Sequence, residues 1–283
     1  MNKGYIKIAL TLLSLTGYMQ NGAFATEHAE NVANKANSVH HESAFDKYKD
    51  MACYSIYENL VAIDHANNTS ELLIKLSETS TDDYSTHPTE NGDKIIYSKK
   101  IGNMDIGRLH LTIPSASNYY DVIEELWDFN DTQKYNYKFI KGSLARVYSK
   151  DLIIFEKLNI DPKYIPFVKK YVLAAKVKNS NDTTVILCPS RALNYLGKID
   201  DEPNMKEILE NTQLIETEID PEEALIKLGT NISGFVIKKV ENDQVDVTYI
   251  NAIYDDGNST KYFYDKKERY HAYMNILSLA QRI

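Results

Sequence analysis

Four segments in which apolar and polar residues alternate constrain the fold of this chain more than any other feature. They span residues 93–113, 138–159, 171–188 and 234–254, and a cluster of Asn, Asp, Gly, Ser or Lys near the middle of each allows the chain to turn. Strands rich in Val, Ile, Tyr and Thr that are separated by such turn residues are typical of antiparallel hairpins. The sequence therefore predicts an antiparallel sheet built from four hairpins.

Apolar residues at steps of three and four predict helices around these hairpins. One helix is expected from Ala44 to about Glu78, with a second short helix beginning at Ser70. Others are expected over 117–129 and 222–228. An amphipathic C-terminal helix over 265–281 is expected to pack on the sheet through one stripe. That stripe consists of Tyr270, Tyr273, Met274, Leu277 and Ala280.

This order of elements favours an α+β fold of the helix-grip type. One curved antiparallel sheet wrapped around a long C-terminal helix satisfies the order and can enclose a cavity between the sheet and the helix. The domain is expected to span residues 44–283, after a polar leader over 26–43 that lacks periodic apolar positions.

The first 25 residues have the three parts of a cleaved signal peptide. Lys3 and Lys7 precede an apolar run over 8–15, and Ala23-Phe24-Ala25 is a small-x-small cleavage site. The run is shorter than the roughly 20 apolar residues of a spanning helix, so secretion is favoured over a membrane anchor.

Charge and motif content exclude several classes of function. The chain has a net charge of −8, which becomes −10 without the signal peptide because that segment carries two lysines and no acids. Broad binding to nucleic acid is therefore disfavoured. No phosphate loop, nucleophile elbow or His-Glu-x-x-His motif occurs, and the two cysteines, Cys53 and Cys188, are not at metal spacing. Whether these cysteines pair stays open. We expect a binding protein with no catalytic residue, no metal and no cofactor.

Two short segments resemble the fam-a proteins, a multigene family of malaria parasites. They are the opening Met1-Asn2-Lys3-Gly4-Tyr5-Ile6-Lys7-Ile8 and the core Leu126-Trp127-Asp128 … Thr132-Gln133-Lys134-Tyr135-Asn136. That family carries a START (lipid-transfer) domain of the helix-grip type. The resemblance covers nearly the whole chain in its order of elements, and it implies export into the host cell.

The resemblance also implies candidate lipid-binding residues. Phe155 and Tyr171 lie on strands similar to those that supply an aromatic cage for choline in phosphatidylcholine-binding members, and aromatic faces attract a quaternary ammonium. The phosphate-binding arginine of the family aligns near Thr132, where this chain has no base, so Lys134 or Arg146 would replace it. Candidate lipid contacts are also expected at Trp127 and Tyr249, although Trp127 fits a helix-to-sheet anchor as well.

The function implied is transfer of one phospholipid, with phosphatidylcholine favoured, by a monomer that contacts membranes transiently. An alternative keeps the fold and makes the domain a host-interaction or adhesion module. Its binding surface would then be the acidic insertion over 200–223, where ten acids stand against the single base Lys206. A third reading, an enzyme that uses His110 or Cys188, is the weakest.

Overall fold

The computed structural model describes most of the chain that follows the predicted leader, and the described residues lie within one compact unit. They are 48–88, 95–114, 118–128, 139–140, 142–159, 168–195, 203–240 and 244–283. The predicted signal peptide and leader, and the candidate residue Lys134, lie outside them. Within these ranges, no helix is long and apolar enough to cross a membrane.

In the described part of the chain, nine strands form one curved antiparallel sheet in the order β1-β2-β3-β9-β8-β7-β6-β5-β4. The four predicted hairpins are confirmed as β2–β3, β4–β5, β6–β7 and β8–β9. The strands are β1 (Ser85–Pro88), β2 (Ile95–Ile101), β3 (Met104–Ile113), β4 (Ser143–Ser149), β5 (Leu152–Asn159), β6 (Val168–Lys178), β7 (Thr183–Leu187), β8 (Ile232–Val240) and β9 (Gln244–Tyr254). The first and last hairpins join along the full length of β3 and β9.

Helices cover both faces of the sheet. They are α1 (Ile56–Glu78), α2 (Tyr119–Trp127), α3 (Met205–Asn211), α4 (Pro221–Leu228), α5 (Ser259–Leu277) and α6 (Leu279–Arg282), with a short 3₁₀ turn at Lys49–Met51. The helices α1, α3 and α4 pack on one face, which we call the α1 face. The helices α2, α5 and α6 pack on the other, which we call the α5 face. The predicted α+β fold with a C-terminal helix across the sheet is confirmed.

The long helix α1 is continuous, so the predicted second helix beginning at Ser70 is wrong. Ser55 is the N-cap and accepts a hydrogen bond from the backbone N–H of Glu58 at 3.3 Å. Ser70 instead lies inside the helix and is buried. Tertiary packing of the α1 face explains the difference, because burial of a helix against a sheet outweighs the modest helix propensity of serine.

Alternation along each strand assigns its side chains to the two faces. On β3, Met104 and Ile106 belong to the core of the α1 face, whereas Leu109, Leu111 and Ile113 belong to the core of the α5 face. Gly234 on β8 allows α1 to approach closely, because a Cβ there would lie 2.5 Å from Leu73 Cδ1 and 2.6 Å from the carbonyl oxygen of Ile186.

The C-terminal helix packs with a different phase from the one predicted. Its buried side chains are Arg269, Tyr273 and Ile276. Tyr270 and Met274, which were expected on the packed stripe, are 58% and 46% exposed. The prediction considered only apolar residues and therefore missed the buried Arg269. The buried face of the helix is shifted by about one residue from the predicted stripe.

The described part of the acidic insertion combines buried apolar side chains with acids that are mostly exposed to solvent. It forms α3 and α4, which lie against α1 and bury apolar side chains there. These are Met205, Ile208, Leu209, Ile215, Ala224 and Leu225. The acids lie between these positions, so the charge run hid an amphipathic pattern. Strand β1 was also missed, because its residues are exposed and carry no apolar alternation.

Candidate functional site

A pocket of about 550 Å³ lies where α5 crosses the edge of the sheet formed by β1, β2 and β3. It is partly open, and most of the side chains that line it are polar or charged. They are Asp83, Ser85, His87, Ile96, Ser98, Lys99, Lys100, Asp105, Lys266, Arg269 and Tyr273. The buried side chains of the α5-face core pack together between the sheet and the helix, and the pocket lies beside them.

Asp105 joins the sheet to α5 through a dense set of hydrogen bonds. Arg269 donates from Nη2 to its Oδ1 at 2.8 Å and from Nη1 to its backbone carbonyl at 3.0 Å. Lys266 Nζ lies 3.2 Å from Oδ2, and Tyr262 donates its hydroxyl to the same oxygen. Burial alone would raise the pKa of Asp105, but the hydrogen bonds from Tyr262 and Arg269 and the two nearby cations lower it. The carboxylate is therefore ionised and fully engaged.

Tyr273 is a buried pocket residue whose hydroxyl has no hydrogen-bond partner among the described residues. The side chain is 6% exposed, and burial raises its pKa to about 12. The hydroxyl lies against Gly107 of β3, where a Cβ would be 2.0 Å from Oη and 3.1 Å from Nη1 of Arg269. Two donors thus converge at the point where β3 lacks a side chain. A buried polar atom without a partner costs free energy, so a group that satisfies it is expected there.

The outer side of α5 carries large apolar side chains that face solvent. Phe263, Tyr264, Tyr270 and Met274 are between 46% and 65% exposed. Phe263, Tyr270 and Met274 follow one another at steps of seven and four, so they form a stripe along one side of the helix. Lys267 completes the spacing and is also exposed. We call Phe263, Lys267, Tyr270 and Met274 the outer stripe.

Three of the sequence-predicted site residues lie on the α5 face. Trp127, at the end of α2, is 5% exposed and donates its indole N–H to the carbonyl of Lys150 at 3.1 Å. Phe155 is 2% exposed in the same core. Tyr249 packs on Tyr273 with ring centroids 6.0 Å apart, and its hydroxyl accepts a hydrogen bond from Asn251 at 3.1 Å. Of the three, Tyr249 contacts the pocket residue Tyr273, whereas Phe155 lies on β5, next to the far edge strand β4 in the sheet order.

The predicted aromatic pair, Phe155 and Tyr171, is not brought together. Phe155 pairs with Val172 across β5 and β6, and Tyr171 pairs with Glu156. Since paired residues of an antiparallel ladder share a face, Tyr171 lies on the α1 face. There its ring packs edge-on against Tyr195 at 5.1 Å. The sheet itself separates the two side chains, so they do not form one cage.

Arg146 also lies on the α1 face and is held by a carboxylate. Its Nε and Nη2 donate to the two oxygens of Glu58 at 3.0 and 3.2 Å. Tyr148 donates to the same carboxylate at 2.9 Å. The hydrogen bonds to Glu58 raise the pKa of Arg146. The pair ties the first turn of α1 to β4, on the opposite side of the sheet from the pocket.

His110 and Cys188, the residues that an enzyme of this fold would use, do not form a nucleophile–base pair. Cys188 is buried, and burial raises its pKa to about 12, so the thiol stays protonated at neutral pH. His110 hydrogen-bonds Thr248 at 3.1 Å on the α1 face, whereas Cys188 belongs to the core of the α5 face. Both cysteines are free thiols. No cluster of metal-ligating side chains occurs among the residues that the structure describes.

The pocket residues Asp105, Arg269 and Tyr273 were not predicted from the sequence. One signal was present: Arg269, Tyr273 and Ile276 follow at steps of four and three within the predicted C-terminal helix. A charged residue at a core position of an amphipathic helix indicates a buried partner. The local sequence does not identify that partner, Asp105, because 164 positions separate it from Arg269.

No protein family model matches the chain, and no curated protein matches it. Among solved structures, the chain is similar to human StAR-related lipid transfer protein 5, with 10% sequence identity and a TM-score of 0.45 over 79% of this chain and 98% of that chain. It is also similar to a STAR-related lipid transfer protein from Xanthomonas axonopodis, with 12% identity and a TM-score of 0.41 over 71% and 98% of the two chains. The resemblance to the fam-a family stays a prediction.

Proposed function

We propose that the chain is a lipid-transfer protein that binds one phospholipid between the sheet and α5. The observation that carries the proposal is the architecture of α5 itself. This helix covers the pocket and buries few of its own side chains. Its outer stripe presents large apolar groups to solvent. A helix that is weakly packed inside and apolar outside is suited to open at a membrane and admit a lipid.

The ligand would enter by displacing packed side chains. Pockets of about 300–1,000 Å³ suit drug-sized ligands, and a two-chain phospholipid is larger. The observed pocket would therefore hold the headgroup, while the acyl chains replace contacts that α5 and α2 now make with the sheet. Their burial is favourable at about 0.8 kcal/mol per CH₂, which offsets the lost contacts.

The outer stripe supports a local membrane contact rather than a broad electrostatic one. The chain is acidic overall, so anionic membranes would repel most of its surface. Aromatic side chains favour the headgroup region of a bilayer, and a lysine can extend its amine to the interface. Phe263, Tyr270 and Lys267 supply both kinds of group on one side of α5.

The direct test is movement of lipid between vesicles. Purified protein is incubated with donor liposomes that contain fluorescent phosphatidylcholine and with unlabelled acceptor liposomes. We expect the protein to accelerate transfer and to retain lipid after re-isolation. A folded protein, as judged by circular dichroism, that extracts no lipid of any class would contradict the proposal.

Loss of the outer stripe should slow transfer without changing the fold. In a Phe263→Ser, Met274→Ser double variant we expect transfer at least about tenfold slower, because each large apolar side chain contributes on the order of 1.5–3 kcal/mol when fully buried. The free energy of unfolding should change little, since both side chains are exposed. A Tyr54→Ser variant is the control: Tyr54 is 87% exposed but lies outside α5. Equal slowing in both variants would argue against the stripe.

Secretion and export to the host cell remain part of the proposal, as does the absence of a covalent step. The rival function, a partner-binding module that uses the acidic insertion, gains no support from the described part of that segment. Leu209 and Leu225 are fully buried against α1. Deleting the segment would remove part of the core, so it could not separate binding from folding.

A further inference from the structure

Three side chains of α5 bring hydrogen-bond donors to the pocket, and two of these donors lie against Gly107 of β3. Tyr273 Oη and Arg269 Nη1 both lie within 3.1 Å of the point where a Gly107 Cβ would stand. Lys266, one helical turn before Tyr270 on α5, reaches the same region through its contact with Asp105. Only the Tyr273 hydroxyl among these has no partner in the described structure.

Two cations of the pocket share one carboxylate. Lys266 and Arg269 both contact Asp105, at 3.2 and 2.8 Å. The other two cations that line the pocket have acidic partners of their own: Lys100 lies 3.5 Å from Asp255, and Lys99 lies 2.8 Å from Glu222 and 4.0 Å from Asp83. The charges of this edge therefore cancel in sum, but beside Asp105 two positive charges face a single negative one.

We propose that this pocket binds the singly charged phosphodiester of the lipid, with the Tyr273 hydroxyl as its buried donor and Arg269 and Lys266 as its cations. The inference rests on the proposed lipid function and assigns the headgroup end of that ligand. A phosphodiester carries one negative charge and acceptor oxygens only, which match the two cations that share Asp105 and the unpartnered donor. Arg146 and Tyr171 take no part in this site, because both lie on the α1 face.

The role of Tyr273 predicts opposite effects on ligand binding and on stability. Removing the hydroxyl in Tyr273→Phe removes a hydrogen bond to a charged group, so phospholipid binding should weaken by about tenfold or more. The same change removes an unsatisfied buried oxygen from the ligand-free protein, whose thermal midpoint should therefore stay the same or rise. A hydroxyl that merely supports the fold would give a lower midpoint.

The experiment compares two lipids with the same acyl chains, dioleoyl phosphatidylcholine and dioleoylglycerol, which lacks the phosphate. The wild-type protein should extract the phospholipid at least about tenfold better, and Tyr273→Phe should lose that preference while its extraction of dioleoylglycerol is unchanged. Tyr54→Phe is the control, since it removes an exposed hydroxyl outside α5 and away from the outer stripe and should change extraction of neither lipid.

Inorganic phosphate serves as a lipid-free probe, read by the thermal midpoint. A phosphate-dependent rise in the wild-type protein that is lost in Tyr273→Phe supports the anion site even if no lipid is extracted, in which case the lipid function alone falls. Extraction of both lipids equally well by the wild-type protein overturns the phosphate assignment and leaves lipid binding standing. An equal loss of both lipids in Tyr273→Phe, or a lower midpoint without ligand, also overturns it.

Discussion

A Gly107→Ala variant is expected to lose both stability and lipid binding. The added methyl group would lie 2.0 Å from the Tyr273 hydroxyl and 3.0 Å from Arg269 Cδ. Both side chains are buried, so the clash is relieved only if α5 moves away from β3. Overpacking of this kind costs about 1–3 kcal/mol. Urea denaturation should show that loss, and lipid extraction should fall at least about tenfold because the same two side chains line the pocket.

A second substitution tests the cause of this effect. In the Gly107→Ala, Tyr273→Phe double variant, the methyl group takes the place of the removed hydroxyl. Part of the lost stability should return, whereas phospholipid binding should not. The single variant could be as stable as the wild type, or the double variant could recover no stability. Either result would show that the contact between Gly107 and α5 does not set the position of the helix.

An Arg146→Ala variant is expected to destabilise the protein through its effect on Glu58. Glu58 is 5% exposed, and its carboxylate would lose both hydrogen bonds from Arg146 while keeping the one from Tyr148. Removing one partner of a buried ion pair costs about 3–5 kcal/mol. Because the Arg146 side chain is itself 35% exposed, we expect a smaller loss of about 2–3 kcal/mol in the free energy of unfolding at pH 7.

Another ion pair of α1 provides the control for this variant. Lys238 of β8 lies 2.7 Å from Glu78, but the two side chains are 33% and 58% exposed. Its removal in Lys238→Ala should cost under about 1 kcal/mol. Lipid bound per folded molecule should be unchanged in both variants. A drop in lipid binding in Arg146→Ala without a loss of stability would instead restore Arg146 as the phosphate-binding residue.

The positions of the candidate site residues were harder to predict than the elements that carry them. Phe155 and Tyr171 were correctly expected on neighbouring strands of the sheet. Their faces depend on the register of β5 against β6, in which Phe155 lies opposite Val172. A shift of one residue in that register would place Phe155 opposite Tyr171, and no local pattern distinguishes the two arrangements when both faces are buried.

Local physical chemistry, readable from the sequence alone, determined the type and order of most elements. Alternation with turn residues set the four hairpins, and steps of three and four set the helices, because these periods reflect the geometry of the strand and the helix themselves. The C-terminal helix was among them, although it begins at Ser259 rather than at 265 and packs with a different phase.

Only the tertiary structure decided how those elements meet. It placed β3 beside β9, put Arg269 of α5 against Asp105 of β3, and left the Tyr273 hydroxyl against Gly107 without a partner. Each of these contacts joins residues more than 100 positions apart in the sequence. Their energies depend on burial and on the charges brought near each group, which exist only once the sheet has formed and α5 has packed on it.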